Sequence, residues 1–236
     1  MKSGFLILGL AAALLAGCDR MPDPPPAPAA PATTVERPGL ARWDAAAGAF
    51  EIGGQRLRTA RLWTFDGSTD GFTGQGSQII PAAPQGLAVS LADPTLRSPS
   101  GLAVPGKEFQ LVLVRLTRTQ AAAANGWSGN LYYTTPSHPE AADWFGLPLD
   151  NTDPKVGETV TFIYDMGRQL QGAPDWANST IDQFRLDLEA NAGGRFIIHQ
   201  VAVAAAPAGS GLGAVEADPA GAVQAAAGAP GQAAPP

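Results

Sequence analysis

Few side chains of this sequence could perform catalysis. His138 lies in a Pro-Ser-His-Pro segment that predicts a turn, and His199 lies in an apolar run that predicts a strand. These are the two histidines of the chain and Cys18 is its single cysteine, so we expect neither a metal cluster nor a Cys-His dyad. No Gly-x-Ser-x-Gly motif is present, although spacing alone leaves a Ser-His-Asp triad open.

Carboxylates are the remaining candidates for acid and base chemistry. Glycoside hydrolysis needs two of them, one on each side of the scissile bond. The chain offers Asp66, Asp143, Asp165, Asp187 and Glu189, whose separations depend on the fold. A single domain of this size, without an appended catalytic domain, favours binding over catalysis, and we therefore expect a protein that is not an enzyme.

A second set of side chains could recognise a sugar. The C–H face of a pyranose packs against an aromatic ring, while amide, carboxylate or guanidinium groups bind its hydroxyls. The candidate aromatics near polar or Gly-rich segments are Trp127, Tyr132, Tyr133, Trp144 and Trp176. Side chains alternate along a strand, so one of Tyr132 and Tyr133 faces outward. Packing in the core is the competing interpretation for each aromatic, and we assign Trp63 and Phe65 to the core.

Two charged residues could complete such a site. Arg185 and Asp187 share the face of a predicted strand opposite Phe184 and Leu186. They either pair on a half-exposed sheet surface or line a cleft, and the ion pair is the simpler interpretation.

One loop has the residue types of a cation site. In Asp66-Gly-Ser-Thr-Asp-Gly71, oxygen ligands stand at the first, third and fifth positions (Asp66, Ser68 and Asp70), as at the start of an EF-hand loop. The twelfth position is Ser77 rather than a bidentate acid, and Asx-turn chemistry explains the same residues. A structural calcium ion is the one cofactor that the sequence suggests.

The first residues predict export. Lys2 precedes an uncharged run from Phe5 to Ala16, which is too short to span a bilayer. The following Leu15-Ala16-Gly17-Cys18 resembles the lipobox of bacterial lipoproteins. That resemblance implies that Cys18 is acylated, becomes the first residue of the mature chain and anchors it to a lipid bilayer in the cell envelope. The alternative is an ordinary signal peptide with a chance cysteine, and the choice of inner or outer membrane stays open.

Composition divides the chain into four segments. Residues 1–17 are the predicted signal peptide, and residues 18–41 are a Pro/Ala-rich linker that favours extended polyproline II. Residues 42–205 are long enough to bury one core. Residues 206–236 are rich in Ala, Gly and Pro and predict a disordered tail.

The charge balance excludes one class of partner. Removing the signal peptide takes away Lys2 and no acidic residue, which leaves 14 basic and 21 acidic residues and a net charge near −7. The chain has no basic cluster, so we exclude nucleic acid as a partner.

Short apolar runs broken by Gly, Pro, Asn and Asp predict an all-β domain. Residues 109–116 are apolar on both faces, as in a central strand, and the segment around Gly53-Gly54 predicts a hairpin. Inward positions are expected at Leu87, Val89 and Leu91, at Val160, Phe162 and Tyr164, at Phe184, Leu186 and Leu188, and at Ile197, Val201 and Val203. A short helix is conceivable only at Gln120 to Asn125. We expect one β-sandwich of jelly-roll type.

The order of several motifs resembles the galactose-binding-like jelly rolls, which include many carbohydrate-binding modules. These motifs are Trp63-Thr-Phe-Asp-Gly-Ser-Thr-Asp-Gly-Phe72, Asp93-Pro-Thr-Leu-Arg-Ser-Pro-Ser-Gly-Leu102, Asn130-Leu-Tyr-Tyr-Thr-Thr135, Gln183-Phe-Arg-Leu-Asp-Leu188 and Gly193-Gly-Arg-Phe-Ile-Ile198. The resemblance spans Leu62 to Ala204 and implies a non-catalytic sandwich, often with a structural calcium ion. His199 stands near the place of an acidic residue that helps to hold that ion in the family.

Together these features predict an envelope lipoprotein that presents a carbohydrate-binding β-sandwich to a polysaccharide. The alternative is a structural or assembly lipoprotein that binds a protein partner in an envelope or surface complex. A glycan site needs a groove with two or more coplanar exposed aromatics, whereas a protein contact needs a contiguous apolar patch.

Overall fold

The computed structural model describes residues 34–214, except 76–77, 83–84, 91–94, 125 and 170. Cys18 and the predicted signal peptide lie outside these residues, as does the tail from residue 215 onward. Among the described residues, no helix is both long enough and apolar enough to cross a membrane.

Nearly all regular structure in the described residues is β-structure. The strands are β1 (Val35–Glu36), β2 (Ala41–Asp44), β3 (Ala49–Ile52), β4 (Gln55–Arg56), β5 (Thr59–Trp63), β6 (Thr73–Gln75), β7 (Gln78–Pro81), β8 (Leu87–Ser90), β9 (Thr95–Arg97), β10 (Val104–Pro105), β11 (Leu111–Gln120), β12 (Trp127–Thr134), β13 (Phe145–Gly146), β14 (Glu158–Asp165), β15 (Thr180–Ile181), β16 (Gln183–Glu189) and β17 (Arg195–Ala204). A 3-10 turn spans Met166–Arg168, and a one-turn helix, α1, spans Asp175–Asn178.

Two large sheets form the domain. The larger sheet has seven strands in the order β1-β14-β11-β17-β8-β7, and β5 pairs with the second half of β17. The smaller sheet has five strands in the order β13-β12-β16-β9-β6. Strands β2, β3 and β4 form a separate three-stranded sheet, and β10 pairs with β15. Every pairing is antiparallel except that of β1 with β14.

The main core lies between the two large sheets. Alternate side chains of each strand point into it, because successive residues of a strand face opposite sides. From the larger sheet these include Val112, Val114, Leu116, Val160, Phe162 and Tyr164, and from the smaller sheet Leu131, Tyr133, Phe184, Leu186 and Leu188. Trp63 and Phe65 are also buried in this core, as predicted. The all-β sandwich expected from the sequence is confirmed.

The central position of β11 follows from burial of both of its faces. Leu111 and Leu113 point away from the main core and pack in a second buried cluster with Phe50 and Ile52 of β3. The sheet formed by β2, β3 and β4 therefore covers part of the outer face of the larger sheet. The predicted Gly53-Gly54 turn joins β3 to β4, and both glycines have positive φ (58° and 77°), which favours glycine over any residue with a side chain.

A bulge in β17 corrects one part of the predicted pattern. Arg115 pairs with Gln200 and Leu116 pairs with Ile198, so His199 is an extra residue in the ladder. Ile198 therefore faces the core together with Val201 and Val203, and Ile197 points outward. The predicted inward position of Ile197 was wrong because strict alternation does not hold across a bulge.

Ordered structure extends beyond residues 42–205 on both sides. Strand β1 lies within the predicted linker, and Arg37 donates two hydrogen bonds to Glu158 on β14 at 2.9 and 2.7 Å. At the other end, Leu212 packs on the second cluster and the Gly213 amide donates to Asp165 at 3.0 Å. The described residues 120–124 form no helix, and Gln120 still belongs to β11.

The bulge places His199 in a half-buried position with a shifted titration. Its Nε2 lies 2.7 Å from the Thr117 hydroxyl. Burial, followed by the charge of Arg115, lowers the pKa of His199 to about 4, although the charge of Glu36 acts in the opposite direction. Since this pKa is below that of an unfolded histidine, protonation favours the unfolded chain.

We therefore expect the free energy of unfolding to fall as pH drops from about 6.5 to about 4, with His199 contributing about 2–3 kcal/mol. In His199→Gln, which keeps a polar group near Thr117, this part of the pH dependence should be absent. Thermal unfolding of both chains from pH 7.5 to 4 measures it. Equal slopes in His199→Gln and the unchanged chain would contradict the assignment.

Candidate functional site

The outer face of the five-stranded sheet gathers several of the predicted site residues. The strand registers place Phe145 beside Tyr132, Tyr132 beside Arg185, Arg185 beside Arg97 and Arg97 beside Thr73. These residues form a row across the sheet, which we call the outer row. They face outward because Leu131, Tyr133, Phe184 and Leu186, which alternate with them, point into the core.

A carboxylate from the loop between β12 and β13 links the two arginines of the outer row. Glu140 accepts from Arg97 Nη2 at 2.9 Å and also pairs with Arg97 Nη1 and Arg185 Nη1. Arg185 Nη2 donates to Asp187 Oδ2 at 2.7 Å. These four side chains are each about one-fifth exposed (18–22%), so solvent screens their charges only in part. The predicted ion pair of Arg185 and Asp187 is present, as one part of a larger network.

The network shifts the titration of both acids. Burial alone would raise the pKa of Glu140, but the hydrogen bond from Arg97 and the charges of both arginines together lower it. Burial raises the pKa of Asp187, and the charge and hydrogen bond of Arg185 offset only part of that effect. Glu140 is therefore the better stabilised carboxylate of the two.

Tyr132 is held between two neighbours. Its ring stacks on Phe145 with a centroid distance of 5.4 Å and an interplanar angle of 30°. On the side of β16, Arg185 Cζ lies 4.4 Å from the centroid of the Tyr132 ring. Because β12 lies between β13 and β16, these contacts cover opposite faces of the ring. Tyr132 thus offers its edge and hydroxyl to a ligand, and the predicted stacking of a sugar on its face is corrected.

Two other predicted aromatics belong to the core. Tyr133 and Trp176 are both fully buried, with ring centroids 5.0 Å apart in an edge-to-face arrangement. The indole of Trp176 donates to the carbonyl oxygen of Phe109 at 3.0 Å. Neither ring presents a face to solvent, so the prediction that they contact a glycan directly is corrected.

Of the remaining two tryptophans, Trp127 lies away from the outer row and Trp144 packs against a neighbouring ring. Trp127 stands five positions before Tyr132 in β12, about 15 Å along the strand. It stacks on Phe162 at 5.0 Å, and its Nε1 donates to Asn151 Oδ1 at 2.9 Å. Trp144 directly precedes Phe145 and stacks on His138 at 4.5 Å. The structure therefore brings together Tyr132, Arg185 and Asp187 out of the predicted set.

Sequence reasoning missed three residues on this face of the sheet: Arg97 and Phe145 of the outer row, and Glu140. Arg97 could have been found, because it alternates with the buried Leu96 in β9. Glu140 lies in a loop, and no local pattern indicates which side chain a loop carboxylate contacts.

The other acid–base pair of this region is His138 with Asp175. His138 Nε2 lies 2.9 Å from Asp175 Oδ2, and its Nδ1 lies 2.9 Å from the carbonyl oxygen of Pro139. The Tyr133 hydroxyl donates to the same Asp175 oxygen at 2.8 Å. Both nitrogens of the His138 ring thus face acceptors, and neither is directed at a hydroxyl nucleophile. The pair attaches the loop that carries Glu140 to helix α1.

The predicted cation loop is held by its own hydrogen bonds. Asp66 Oδ2 accepts from the Thr64 hydroxyl at 2.9 Å, and Asp70 Oδ2 accepts from the Phe65 amide at 3.0 Å. The Asp70 amide donates to Ser68 Oγ at 3.1 Å. Within the described part of the chain, no group of three or more His, Cys, Asp or Glu side chains is placed to hold a metal ion. Calcium binding by this loop stays a prediction.

Comparisons with known proteins give a weak structural likeness. No protein-family model matches the chain, and no curated protein matches it. A solved structure, that of a conserved carbohydrate esterase from the Shiga toxin-encoding bacteriophage phi24B, is similar with a TM-score of 0.38 and 11% sequence identity. The match covers 64% of this chain and all of that one.

This comparison corrects the expectation that the chain is not an enzyme. That expectation relied on the size of the single domain and on the lack of an appended catalytic domain, whereas the similar structure belongs to a protein described as a carbohydrate esterase. At this TM-score and identity, the likeness assigns neither a family nor an activity to the chain.

The contacts of Asp175 predict that it stabilises the domain. In Asp175→Ala, the buried Tyr133 hydroxyl loses its acceptor and His138 loses its partner, so the free energy of unfolding should fall by about 1–3 kcal/mol. Chemical denaturation measures this. Asp143→Ala, at an exposed position of the loop that carries Glu140, should change stability by less than about 0.5 kcal/mol. Equal effects of the two substitutions would contradict the role given to Asp175.

Proposed function

We propose that this chain is an envelope lipoprotein that contacts a polysaccharide through the outer row and the adjoining Glu140 and Asp187. The observation that carries the proposal is the arrangement of Tyr132, Arg185 and Arg97 side by side on one sheet, with carboxylates between the guanidinium groups. Guanidinium groups donate hydrogen bonds and carboxylates accept them, which is what the hydroxyls of a glycan require.

A rigid sheet suits this task. The backbones of β12, β16 and β9 are hydrogen-bonded to one another, so the outer row is held in place before a ligand arrives. Each site would bind weakly, because the aromatic face of Tyr132 is already covered. Many copies anchored on one membrane would bind a long polysaccharide at several points and so strengthen the attachment.

The anchor in this proposal is Cys18. Its support is the basic residue, the short apolar run and the Leu15-Ala16-Gly17 sequence before it. Acylation at this position would place the domain at a membrane surface of the bacterial cell envelope.

One observation favours a protein partner as a second function. Four large apolar side chains are exposed by half or more along the outer edge of β14: Val35, Leu40, Leu149 and Val156. Val35 and Val156 line one open cavity of about 330 Å³, and Leu40 and Leu149 line another of about 150 Å³. Exposed apolar groups of this kind mark surfaces that bind other proteins.

Binding to a panel of bacterial polysaccharides tests the main proposal. We expect saturable binding of the soluble Cys18→Ser chain without its signal peptide, and a loss of at least about tenfold in affinity in Tyr132→Ala and in Arg97→Ala. Arg42→Ala is the matched control, because Arg42 also pairs with a glutamate but lies on β2 of the separate sheet. If the chain binds none of the glycans while its circular dichroism spectrum is unchanged, the main proposal is wrong and binding of a protein partner becomes the preferred function.

The anchor has its own test. When the full chain is expressed in a bacterium fed a labelled fatty acid, we expect label on the protein and partition into the detergent phase. Cys18→Ser should abolish both, whereas Gly17→Ala, which keeps a small residue before the cysteine, should retain both. Label that persists in Cys18→Ser would refute acylation at this residue.

A further inference from the structure

Arg97, Arg185, Glu140 and Asp187 form what we call the outer-face cluster. Two buried atoms of this cluster lack hydrogen-bond partners among the described residues. Arg185 uses Nη1 for Glu140 and Nη2 for Asp187 Oδ2, but its Nε–H donates to no acceptor. Asp187 uses Oδ2 for Arg185, but its Oδ1 accepts no hydrogen bond. One donor and one acceptor are thus unused on two residues that share a strand face.

Unused polar atoms at such a place call for a physical explanation. A buried donor or acceptor without a partner costs free energy, and most buried polar groups in proteins are paired. A hydroxyl group both accepts and donates, so a single hydroxyl can accept from Arg185 Nε–H and donate to Asp187 Oδ1. A carboxylate could satisfy only the arginine, and an ammonium group could satisfy only the aspartate.

The charges of the cluster favour the same class of ligand. Arg97 and Arg185 contribute two positive charges, and Glu140 and Asp187 contribute two negative charges, so the formal charges cancel. The whole chain carries a formal net charge of −6. An anionic ligand would therefore be repelled at long range and would have to compete with Glu140 at short range.

We infer that Arg185 Nε–H and Asp187 Oδ1 form a hydroxyl-recognition pair, and that the ligand of the outer row is an uncharged, hydroxyl-rich sugar residue. This inference rests on the proposed function. Both atoms lie beneath the surface, so a neighbouring side chain moves when the ligand enters.

Paired substitutions test the hydroxyl-recognition pair. Arg185→Lys keeps the positive charge and removes the Nε–H, so binding to a neutral polysaccharide should weaken about tenfold. Arg42→Lys is the matched control: the same change at an arginine that also pairs with a glutamate, but on β2 of the separate three-stranded sheet, should leave binding unchanged. In Asp187→Asn, an amide whose oxygen faces Arg185 turns its NH₂ toward the hydroxyl, and a similar tenfold loss is expected. Thermal unfolding of each variant shows that the fold is kept.

The choice of polysaccharides separates this inference from the function on which it rests. We would compare neutral dextran, mannan, xylan and galactan with acidic alginate, polygalacturonate and hyaluronate, at about 50 and about 500 mM salt. Binding to neutral members that changes little with salt and is lost in Arg185→Lys would support the inference. Binding to acidic members alone, weakened by salt and kept in Arg185→Lys, would overturn it and leave the proposed function standing. Binding to none of the polysaccharides would overturn the proposed function itself.

Discussion

The burial of Phe184, Leu186 and Leu188 between the two sheets determines the geometry of the outer face. These three side chains hold β16 against the larger sheet, and strand alternation then directs Arg185 and Asp187 away from the core. The same constraint acts on β12, where Leu131 and Tyr133 are buried and Tyr132 faces out. A one-residue shift of β16 would place Arg185 and Asp187 in the core, and a shift of β12 would place polar groups there, so the register of the outer row is strongly specified.

The two arginines of this face need the acids around them. Arg97 and Arg185 stand directly opposite each other on neighbouring strands, and like charges in that arrangement repel. Glu140 pairs with both of them, which turns a repulsive pair into a connected network. The strands therefore determine where Arg97 and Arg185 lie. The loop held by His138 and Asp175 supplies the Glu140 carboxylate, which offsets the repulsion between the two arginines.

Local pattern predicted the sheets better than it predicted the site. Period-two runs identified β8, β14 and β16 with their inward faces, because burial in a sandwich imposes alternation, although the predicted inward Leu91 lies outside the described residues. Strand β11 was identified instead by a run that is apolar on both faces. Ile197 was misplaced because the bulge at His199 depends on the pairing of β17 with β11, which is a long-range property. The covering of β11 by β3 depends likewise on which distant segment meets its outer face.

For the site, alternation showed that one of Tyr132 and Tyr133 faces outward and that Arg185 and Asp187 share a face. It could not show that Trp176 fills the core, since an aromatic near polar residues is equally compatible with burial. The contact of Glu140 with two strands also had no sequence signal, because loop length does not determine where a side chain ends.

Strand β1, which follows the proposed membrane anchor in the chain, and the outer row lie on different sheets. Strand β1 lies at the edge of the larger sheet, where the Val35 amide donates to the carbonyl oxygen of Gly157, just before β14, at 3.0 Å and the Arg37 amide donates to that of Thr159 in β14 at 2.7 Å. The outer row lies on the smaller sheet, whose opposite face packs on the larger one. In the proposed function, attachment through residues before β1 and polysaccharide contact through the outer row would therefore involve different sheets of the domain, so neither would have to be released for the other to form.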